Sequence, residues 1–327
     1  MQRNAPSPEM HGQKRKVLLC GATGTIGRAT FKALNLYGHG VVAPIRPGAD
    51  ASGLSGTVAC NFTQEALSEL FAAHECDAVI SCLTSRTGVP DDAWNVDHKL
   101  NSRVLAAAVN AGIPKFVHLS AICVQKPMLA FQFAKLAFEA ELQKAPLAWS
   151  IVRPTAFFKS LSGQLNRVRD GKPFLVFGDG QLTSCKPISD ADLARFLVQC
   201  LDAPECENKI LPVGGPGPAI TPLSQGWMLF EALNQPPKFR HVPVAMLSGI
   251  IGGLSILGRL SKAAERKAEL ARIGRYYATE SMLVWDEQTG TYDATATPEF
   301  GSDTLTSHYR TLAVSNLPDD RGAHAIF

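Results

Sequence analysis

The residues of this sequence that could bind a phosphate are three glycines at every third position, Gly21, Gly24 and Gly27, between the apolar run 17–20 and a helix-like segment. Gly21 permits a tight turn, Gly24 lets the backbone approach a pyrophosphate, and Gly27 lets the helix pack against the strand. The free N–H groups at the start of that helix, together with its dipole, favour a bound phosphate. The residues predicted to bind a dinucleotide at this turn are Gly21, Thr23, Gly24, Thr25, Ile26, Gly27 and Arg28. An ordinary glycine-rich turn in another kind of α/β protein is the alternative.

The second strand-like run, 40–45, indicates which nicotinamide cofactor the turn would bind. NAD-binding proteins place an acidic residue about 20 residues past the glycines, where it holds a ribose hydroxyl. This sequence has Arg46 there instead. A guanidinium can pair with the 2′-phosphate of NADPH, and Arg28 at the start of the helix is a second candidate for that contact. We therefore predict NADPH rather than NADH, the alternative being that Arg46 is a solvated loop cation.

Alternating strand-like and helix-like runs position this turn. The strand-like runs are 16–20, 40–45, 57–60, 78–82 and 115–120, and the helix-like runs are 27–37, 64–73 and 93–111. A helix over 131–144 and a strand over 149–153 continue the pattern. Such alternation predicts an α/β fold, a Rossmann-type doubly wound parallel sheet whose ligands bind beyond the carboxyl ends of the strands.

The glycine- and proline-rich run 214–218 indicates where this domain ends. We predict a disordered tail over 1–15, an NADPH-binding Rossmann domain over 16–214, and a smaller, mostly helical substrate-binding region over 215–327 packed on it. Within that region the segment 242–258 is mostly apolar, and a basic helix-like segment, 259–277, follows it. The apolar segment is short for a membrane span. It is expected either to be a buried or lid segment, or to touch a membrane or a greasy ligand from the protein surface.

The composition of the chain limits its partners and its metal chemistry. The 327 residues are 46% hydrophobic, enough for a large core, and the net charge of +3 without a polybasic block argues against a nucleic-acid partner. None of the eight cysteines forms a C-x-x-C pair, which argues against zinc and iron–sulfur sites, and we predict no metal site. Unpaired cysteines and a polar amino terminus without a signal peptide favour a reducing cytoplasm.

Two further residues carry a resemblance to a known superfamily. Ser120 follows the strand-like run 116–119, and Lys135 lies on the next predicted helix. With the glycine turn, they resemble the short-chain dehydrogenase/reductase superfamily, in which a serine polarises a carbonyl, a tyrosine donates a proton and a lysine four residues later lowers the tyrosine's pKa. Phe131 stands in the tyrosine's place and has no proton to give. The resemblance implies catalytic roles for Ser120 and Lys135, but the phenylalanine argues against ordinary ketone reduction.

The retained lysine resembles the atypical branch of this superfamily, which includes NmrA-like and isoflavone-reductase-like proteins. In that branch the lysine mainly binds the nicotinamide ribose, or acts as an acid and base. The segment 152–158 also resembles this branch, in which the loop after that strand packs on the nicotinamide. Leu83 follows the fourth strand, where the superfamily's backbone lines the cofactor. The resemblance therefore implies cofactor contacts from Leu83, Lys135, Pro154 and Phe157.

The carboxyl-terminal sequence carries a narrower resemblance. The segments 281–286, 288–293 and 298–305 resemble the NADPH-dependent divinyl chlorophyllide a 8-vinyl-reductases of photosynthetic organisms, and so do 116–121 and 131–142. The resemblance covers roughly residues 16–310. It implies reduction of the 8-vinyl group of a divinyl chlorophyllide or protochlorophyllide to ethyl, in chlorophyll or bacteriochlorophyll biosynthesis. Because a long plastid extension is missing from this sequence, we expect a bacterial, cytoplasmic form, with contact at the periphery of the photosynthetic membrane left open.

A tetrapyrrole substrate requires a broad apolar cleft. The candidate walls are the segment 242–258 and three aromatic residues, Phe157, Phe158 and Trp285. The candidate ligands for the pigment magnesium are three histidines, His118, His241 and His308. Two other functions stay open: a reductase of another conjugated alkene or of a quinone, and a non-catalytic NADP(H)-binding regulator or assembly factor similar to the NmrA redox sensors. The sequence pattern specifies neither the proton donor nor the oligomeric state.

Overall fold

The computed structural model describes residues 13–258 and 261–315, so most of the tail predicted to be disordered lies outside the described residues. The first eight strands are β1 (Lys16–Cys20), β2 (Gly40–Ile45), β3 (Thr57–Ala59), β4 (Ala78–Ser81), β5 (Lys115–Leu119), β6 (Ala148–Pro154), β7 (Phe174–Phe177) and β8 (Lys209–Val213). All except β7 form one parallel sheet in the order β3-β2-β1-β4-β5-β6-β8. The strand order reverses beside β1, which confirms the prediction of a Rossmann-type doubly wound sheet.

Helices cover both faces of this sheet. They include α1 (Thr25–Leu36), α2 (Gln64–Ala73), α4 (Asn101–Asn110), α5 (Ala130–Leu142) and α8 (Asp190–Gln199). The short helices of this stretch are α3 (Pro90–Ala93), α6 (Phe158–Leu161) and α7 (Leu165–Arg169), of which α6 and α7 pack in the core of the smaller part described below. The side chains of β1 divide between two cores, because Val17 and Leu19 pack with α1 and α8, whereas Leu18 and Cys20 pack with α2, α4 and α5. A parallel strand buried on both faces needs apolar residues at every position, which explains the continuous apolar run at 17–20.

The structure differs from the prediction of one continuous helix over 93–111. A π-helical segment, Trp94–Leu100, lies between α3 and α4. The wider π-helical turn changes which side chains face inward, and Asp97 is completely buried. The apolar periodicity of the sequence predicts the helical segment but does not reveal this local change of pitch.

The remaining described residues form a smaller part of the molecule. Its elements are α9 (Pro222–Ala232), β9 (Phe239–Val242), α10 (Val244–Gly258), α11 (Lys262–Thr279), β10 (Val284–Asp286), β11 (Thr291–Asp293) and α12 (Leu305–Val314). β9 pairs with β7 in parallel and β10 pairs with β11 antiparallel, so this mostly helical part also contains two small sheets. The pairing of β7 with β9 joins the chain on both sides of residue 214, and the predicted domain boundary there stays a prediction.

Helices α10 and α11 pack against each other as a hairpin. α10 has 15 residues, none of them charged, and none of its side chains is buried. Within the predicted apolar segment 242–258, only Val242, at the end of β9, is buried. Among the residues described, no helix combines the length and the apolar character needed to cross a bilayer.

Candidate functional site

A cavity of about 450 Å³ opens at the carboxyl ends of β1, β4, β5 and β6. It brings together eight residues predicted for the site: Gly24, Thr25, Ile26, Gly27, Ser120, Lys135, Pro154 and Phe157. The facing wall comes from the smaller part of the molecule and includes Gln225, Ile273, Tyr277 and Met282. Doubly wound sheets bind their ligands at this edge, and the cavity is the candidate functional site.

The glycine turn forms a cradle for a phosphate. Gly21 has a φ of +80°, and a Cβ on it would lie 2.7 Å from the backbone of Cys82. A Cβ on Gly27 would lie 2.0 Å from the carbonyl oxygen of Gly21, so α1 packs directly on the turn. The N-cap residue of α1, Gly24, makes no side-chain cap, and the first turn of the helix contains no acidic residue. The first N–H groups of α1 can therefore bind an anion, and the cradle fits the pyrophosphate of a nicotinamide dinucleotide.

Gly21, Thr23 and Leu83 support this cradle from outside the cavity wall. A Cβ on Gly21 would lie 3.0 Å from the backbone nitrogen of Leu83, which places the two residues against each other beneath the turn. The carbonyl oxygen of Thr23 accepts a hydrogen bond from Arg28 Nε at 3.3 Å. Their roles in binding the cofactor stay predictions.

The two arginines predicted to bind a 2′-phosphate lie at the loop that follows β2. Arg28 donates hydrogen bonds to the carbonyl oxygens of Ser52 and Asp50 at 2.5 and 2.8 Å, and to the Asp50 carboxylate at 3.0 Å. Arg46 begins the same loop and is exposed. Arg28 thus ties the glycine turn to the loop that carries Arg46, beyond the cavity wall.

Lys135 enters the cavity wall from α5 as part of a buried ion pair. Its Nζ lies 2.9 Å from Asp97 Oδ1, and the exposed fractions of the two side chains are 6% and 0%. The same Nζ donates to Thr84 Oγ1 at 3.3 Å, and the Thr84 hydroxyl donates to Asp97 at 2.8 Å. An ammonium group has three N–H donors. Two of them are used here, so the third can bind a ligand in the cavity.

Ser120 belongs to a second buried polar cluster. Its hydroxyl donates to Glu139 Oε1 at 2.5 Å. Arg153 holds the same carboxylate from the other side with two N–H groups, one at 3.2 Å from Oε1 and a second bonded to Oε2. With its proton directed at a carboxylate, Ser120 can accept a hydrogen bond from a ligand, and its catalytic role stays a prediction.

The wall beside Phe131 is completed by α11. A Cβ on Gly88 would lie 3.0 Å from Ile273 Cδ1 and 3.6 Å from a ring carbon of Phe131, so these two side chains approach each other across Gly88. Tyr277, one helical turn after Ile273, also lines the cavity. Its phenol lies beside the thiol of the buried Cys123. Burial raises the pKa of the Tyr277 phenol well above its ordinary value and also raises the pKa of the Cys123 thiol.

Several side chains predicted as walls or metal ligands lie elsewhere. Trp285 packs edge-to-face with Tyr292, with 4.8 Å between ring centres, and lies under Lys126, away from the cavity wall. Phe158 is buried in the core of the smaller part, so of the three aromatic residues only Phe157 lines the cavity. His118 is completely buried, and burial lowers its pKa, so it cannot reach a pigment in the cavity. Across residues 13–258 and 261–315, His, Cys, Asp and Glu side chains form no cluster that could hold a metal ion.

Sequence reasoning missed Asp97, Glu139, Arg153 and Tyr277. A charged residue inside a largely apolar helical stretch is a usable signal for Glu139, since buried charges are paired. Asp97 lies among polar residues and carries no such signal. Tyr277 carries no such signal, because its partner Cys123 lies in a distant part of the sequence.

Comparison with known proteins identifies the family. A family model described as NAD(P)H-binding matches residues 21–204. The divinyl chlorophyllide a 8-vinyl-reductase of Cucumis sativus is 43% identical, covering 95% of this chain and 79% of its own. The enzyme of the same name from Arabidopsis thaliana is also 43% identical and covers 92% and 78%. The photosystem II assembly factor Ycf39 of Synechocystis is more distant, at 28% identity over 71% of this chain and 72% of its own.

Solved structures agree on the fold. The UDP-glucose 4-epimerase of Thermotoga maritima superposes with a TM-score of 0.59 at 16% identity, over 69% of this chain and 85% of that one. A UDP-glucuronic acid 4-epimerase of Bacillus cereus in complex with NAD gives a TM-score of 0.60 at 17% identity, over 70% and 86%. At these identities the likenesses show the fold alone, and it is the NAD(P)H-binding family match that supports a nicotinamide cofactor.

One expectation from the sequence is wrong. We expected a bacterial, cytoplasmic protein because a plastid extension is missing from the sequence. The 8-vinyl-reductases that are 42–44% identical to the chain are chloroplastic proteins, so the similarity points to a plastid family instead.

Proposed function

The chain belongs to the divinyl chlorophyllide a 8-vinyl-reductase family, and on that premise we propose that it reduces the 8-vinyl group of a divinyl chlorophyllide to an ethyl group with NADPH. The observation that carries the proposal is the sequence similarity, which extends through both parts of the molecule. The proposal covers the pigment pathways that the resemblance implies, chlorophyll and bacteriochlorophyll biosynthesis.

The cavity provides a place for each of the two reactants. Its polar end is the glycine cradle at residues 24–27, where the pyrophosphate would bind. Its other end is apolar and is lined by Ile122, Phe131, Ile273 and Met282. A flat, apolar macrocycle would pack against these side chains. The arrangement therefore favours a ligand with an apolar, aromatic ring system next to the cofactor.

The residues of the chain would position the reactants and exclude water. The bound cofactor supplies a hydride from its nicotinamide ring. The third N–H of Lys135 would hold a ribose hydroxyl, while Asp97 and Thr84 fix the direction of its side chain. Pro154 and Phe157 would pack on the nicotinamide. We expect the protein to accelerate the reaction mainly by holding the vinyl carbon next to the nicotinamide ring.

We propose that NADPH is preferred over NADH. Arg46 and Arg28 border the loop after β2, and no acidic residue ends that strand. A 2′-phosphate bound beside this loop would meet two guanidinium groups. The hydrogen bonds from Arg28 to the loop already fix its side chain. The side chain would therefore lose little conformational entropy when a 2′-phosphate binds.

One assay tests the proposed reaction. Purified full-length protein is mixed with NADPH and divinyl chlorophyllide a, and the blue absorbance band of the pigment is followed. A shift of this band, together with an ethyl product by mass spectrometry, is the expected result. If cofactor binds but the pigment stays unchanged, the reductase proposal fails. That outcome would favour a non-catalytic NADP(H)-binding regulator or assembly factor, and the Ycf39 relatives are named as photosystem II assembly factors.

We further propose that α10 rests on an anionic lipid surface. The half-buried residues Val244, Leu247, Ile251 and Leu254 recur at helical spacing, as expected for the face that packs on α11. A second apolar stripe on α10 faces solvent, and it contains Met246, Ile250 and Leu257, which are 51%, 44% and 57% exposed. Helices with apolar residues on a solvent-facing stripe bind in the interface of a bilayer.

Positive charges flank this apolar stripe. Lys262, Arg266 and Lys267 are exposed on the first turns of α11, and Arg240 is exposed just before α10. Within the part of the chain that the structure describes, none of the four forms an ion pair. Each basic residue near an anionic bilayer contributes about 1 kcal/mol to binding. This charge pattern favours anionic lipid as the partner of the stripe.

Vesicle sedimentation tests the lipid proposal. Full-length protein is expected to sediment with vesicles containing phosphatidylglycerol, and less with vesicles of phosphatidylcholine alone. The double variant Ile250→Glu/Leu257→Glu should stay in the supernatant, because both charges enter the apolar stripe. Leu36→Glu is the matched control, since Leu36 is 75% exposed at the end of α1. Equal sedimentation of the double variant and the control would rule out α10 as the lipid-binding element.

A further inference from the structure

The proposed reaction consumes one proton, and the position that supplies it in related reductases holds Phe131. Reduction of a vinyl group to ethyl adds a hydride and a proton to the two carbons. Phe131 is 9% exposed and lines the cavity, but its ring has no exchangeable hydrogen. Another group in the same wall must therefore provide the proton, unless solvent water does.

Tyr277 places a phenol in the same wall. Ile273 and Phe131 approach each other across Gly88, and Tyr277 follows Ile273 by one turn on the same side of α11. Phe131, Ile273 and Tyr277 all line the cavity. Helix α11 thus contributes a phenol to this wall, whereas α5 contributes a phenylalanine.

The Tyr277 phenol lies beside a buried thiol. The residue is 38% exposed, and the neighbouring Cys123 is 3% exposed. The neighbouring Tyr276 fixes α11 in this position, because its hydroxyl donates to the carbonyl oxygens of Cys123 and Lys126 at 2.9 and 3.1 Å. Two consecutive tyrosines therefore dock the end of α11 on the loop that follows β5.

Ser120, Thr84 and Lys135 are other polar residues of the cavity wall, and each has a protein partner as well. The Ser120 hydroxyl donates to Glu139, and the Thr84 hydroxyl donates to Asp97. Lys135 is paired with Asp97 and is proposed to hold the cofactor. A phenol is protonated at neutral pH, and burial raises the pKa of Tyr277 further above its ordinary value. A neutral phenol can protonate a carbanion, which is a much stronger base.

We propose that Tyr277 is the catalytic acid of the vinyl reduction, an inference that rests on the proposed function. A hydride from the nicotinamide bonds to the terminal vinyl carbon, and the π electrons of the C=C bond move to the inner carbon. The Tyr277 O–H bond breaks, and its proton bonds to that inner carbon, which completes the ethyl group. The nicotinamide is oxidised by two electrons, the vinyl group is reduced by two, and the phenolate regains a proton from water.

Cys123 assists this step as a positioning residue. Burial keeps its thiol protonated, because it raises the thiol pKa. The S–H can therefore turn to donate to the phenolate that forms when Tyr277 loses its proton. This hydrogen bond would stabilise the phenolate until water reprotonates it.

The test compares Tyr277→Phe with wild-type protein and with Tyr37→Phe. Tyr37 lies at the end of α1 outside the cavity wall, so Tyr37→Phe removes a hydroxyl without touching the site. For Tyr277→Phe, kcat with NADPH and divinyl chlorophyllide a should fall by about 100-fold, the usual contribution of a general acid. The KM for pigment and the Kd for NADPH should stay within about twofold. A structural role alone would change binding and thermal stability as well.

Other results of this comparison distinguish a failure of the proposed function from a wrong assignment of Tyr277. If wild-type protein does not reduce the pigment, the proposed function fails, and this inference fails with it. If wild-type protein is active and Tyr277→Phe keeps a third or more of its kcat, only the assignment of Tyr277 is wrong. If Tyr277→Phe folds poorly, 3-fluorotyrosine is placed at position 277, which lowers the phenol pKa. The alkaline limb of the kcat profile should then move to lower pH, and an unmoved limb would overturn the proposal.

Discussion

The buried charged residues at the site form ion pairs, and each pair joins two different elements. Lys135 on α5 is paired with Asp97 in the π-helical segment, and Arg153 on β6 with Glu139 on α5. A buried ion pair contributes little net stability, but breaking it leaves an uncompensated charge. These pairs therefore fix the geometry of the cavity wall more than they stabilise the fold.

A double-mutant cycle on the Lys135–Asp97 pair separates its structural and functional roles. Lys135→Met should lower the free energy of unfolding by about 3–5 kcal/mol, because Asp97 stays buried without a partner. Lys135→Met/Asp97→Asn should recover most of this stability but not the turnover, since the proposed ribose contact is still missing. Chemical denaturation and steady-state kinetics measure the two effects. If Lys135→Met retains wild-type turnover, Lys135 has no role in the reaction.

The proposed preference for NADPH also rests on single residues. Arg46→Ala should raise the Kd for NADPH by about tenfold or more, because a charge-assisted hydrogen bond to the 2′-phosphate is lost. The Kd for NADH should hardly change. Arg310→Ala is the control, since Arg310 is an exposed arginine paired with Glu231 on the far helices α9 and α12. Titration of both cofactors by nicotinamide fluorescence gives the values, and equal effects on NADPH and NADH would contradict the preference.

At the scale of elements, the turn between β1 and α1 contains glycines with different tasks. A Cβ on Gly27 would lie 2.0 Å from the carbonyl oxygen of Gly21, whereas a Cβ on Gly24 would lie 3.4 Å from it. Gly24 also has φ and ψ values of −77° and 169°, which alanine adopts readily. Gly27 is thus required for packing, while Gly24 faces the cavity.

A matched pair of alanine variants tests this division. Gly27→Ala should destabilise the fold by roughly 3 kcal/mol, because the added methyl group collides with the backbone. Gly24→Ala should keep its melting temperature but bind NADPH at least tenfold more weakly, because its methyl group occupies the space in which the pyrophosphate approaches the backbone. Thermal unfolding with and without NADPH distinguishes the two variants. Comparable melting temperatures for both variants would show that this division is incorrect.

The elements also show how far the sequence could predict the molecule. The strands and helices of the main sheet follow from local apolar patterns, and the glycine turn follows from its spacing, so the fold prediction is confirmed. The π-helical turn that buries Asp97 has no separate sequence pattern. The pairing of β7 with β9 and the docking of Tyr276 on Cys123, 153 residues apart, depend on long-range packing. Those contacts are absent from any local window, so the wall formed by α11 could not be predicted.

At the scale of the whole molecule, the segment 300–303, just before α12, binds to helix α8 of the main sheet. Asp192 on α8 is completely buried and accepts hydrogen bonds from the backbone N–H groups of Ser302 and Asp303, at 3.1 and 2.9 Å. Phe300 contacts Phe196 of the same helix, with ring centres 5.0 Å apart. The smaller part of the molecule is thus held to the sheet domain at a point away from the cavity.

Loss of these hydrogen bonds should lower the stability of the whole chain. Asp192→Ala is expected to lower the free energy of unfolding by about 2 kcal/mol, because two backbone donors lose a charged acceptor. Asp170→Ala is the control: Asp170 pairs with Lys172 on the surface, where both side chains are more than half exposed, and it should have almost no effect. Urea denaturation followed by tryptophan fluorescence measures both variants. An unchanged midpoint for Asp192→Ala would show that the segment is held by other contacts.

The hairpin of α10 and α11 has a thermodynamic consequence. Its outer helix carries the solvent-facing apolar stripe, and its inner helix carries Ile273 and Tyr277 in the cavity wall. A surface that favours one position of the hairpin must change the affinity of the cavity for its ligand, and a ligand in the cavity must change the affinity for that surface by the same factor. One coupling constant would then describe both effects. It could be measured as the change in pigment affinity on lipid adsorption, or as the change in lipid affinity on pigment binding.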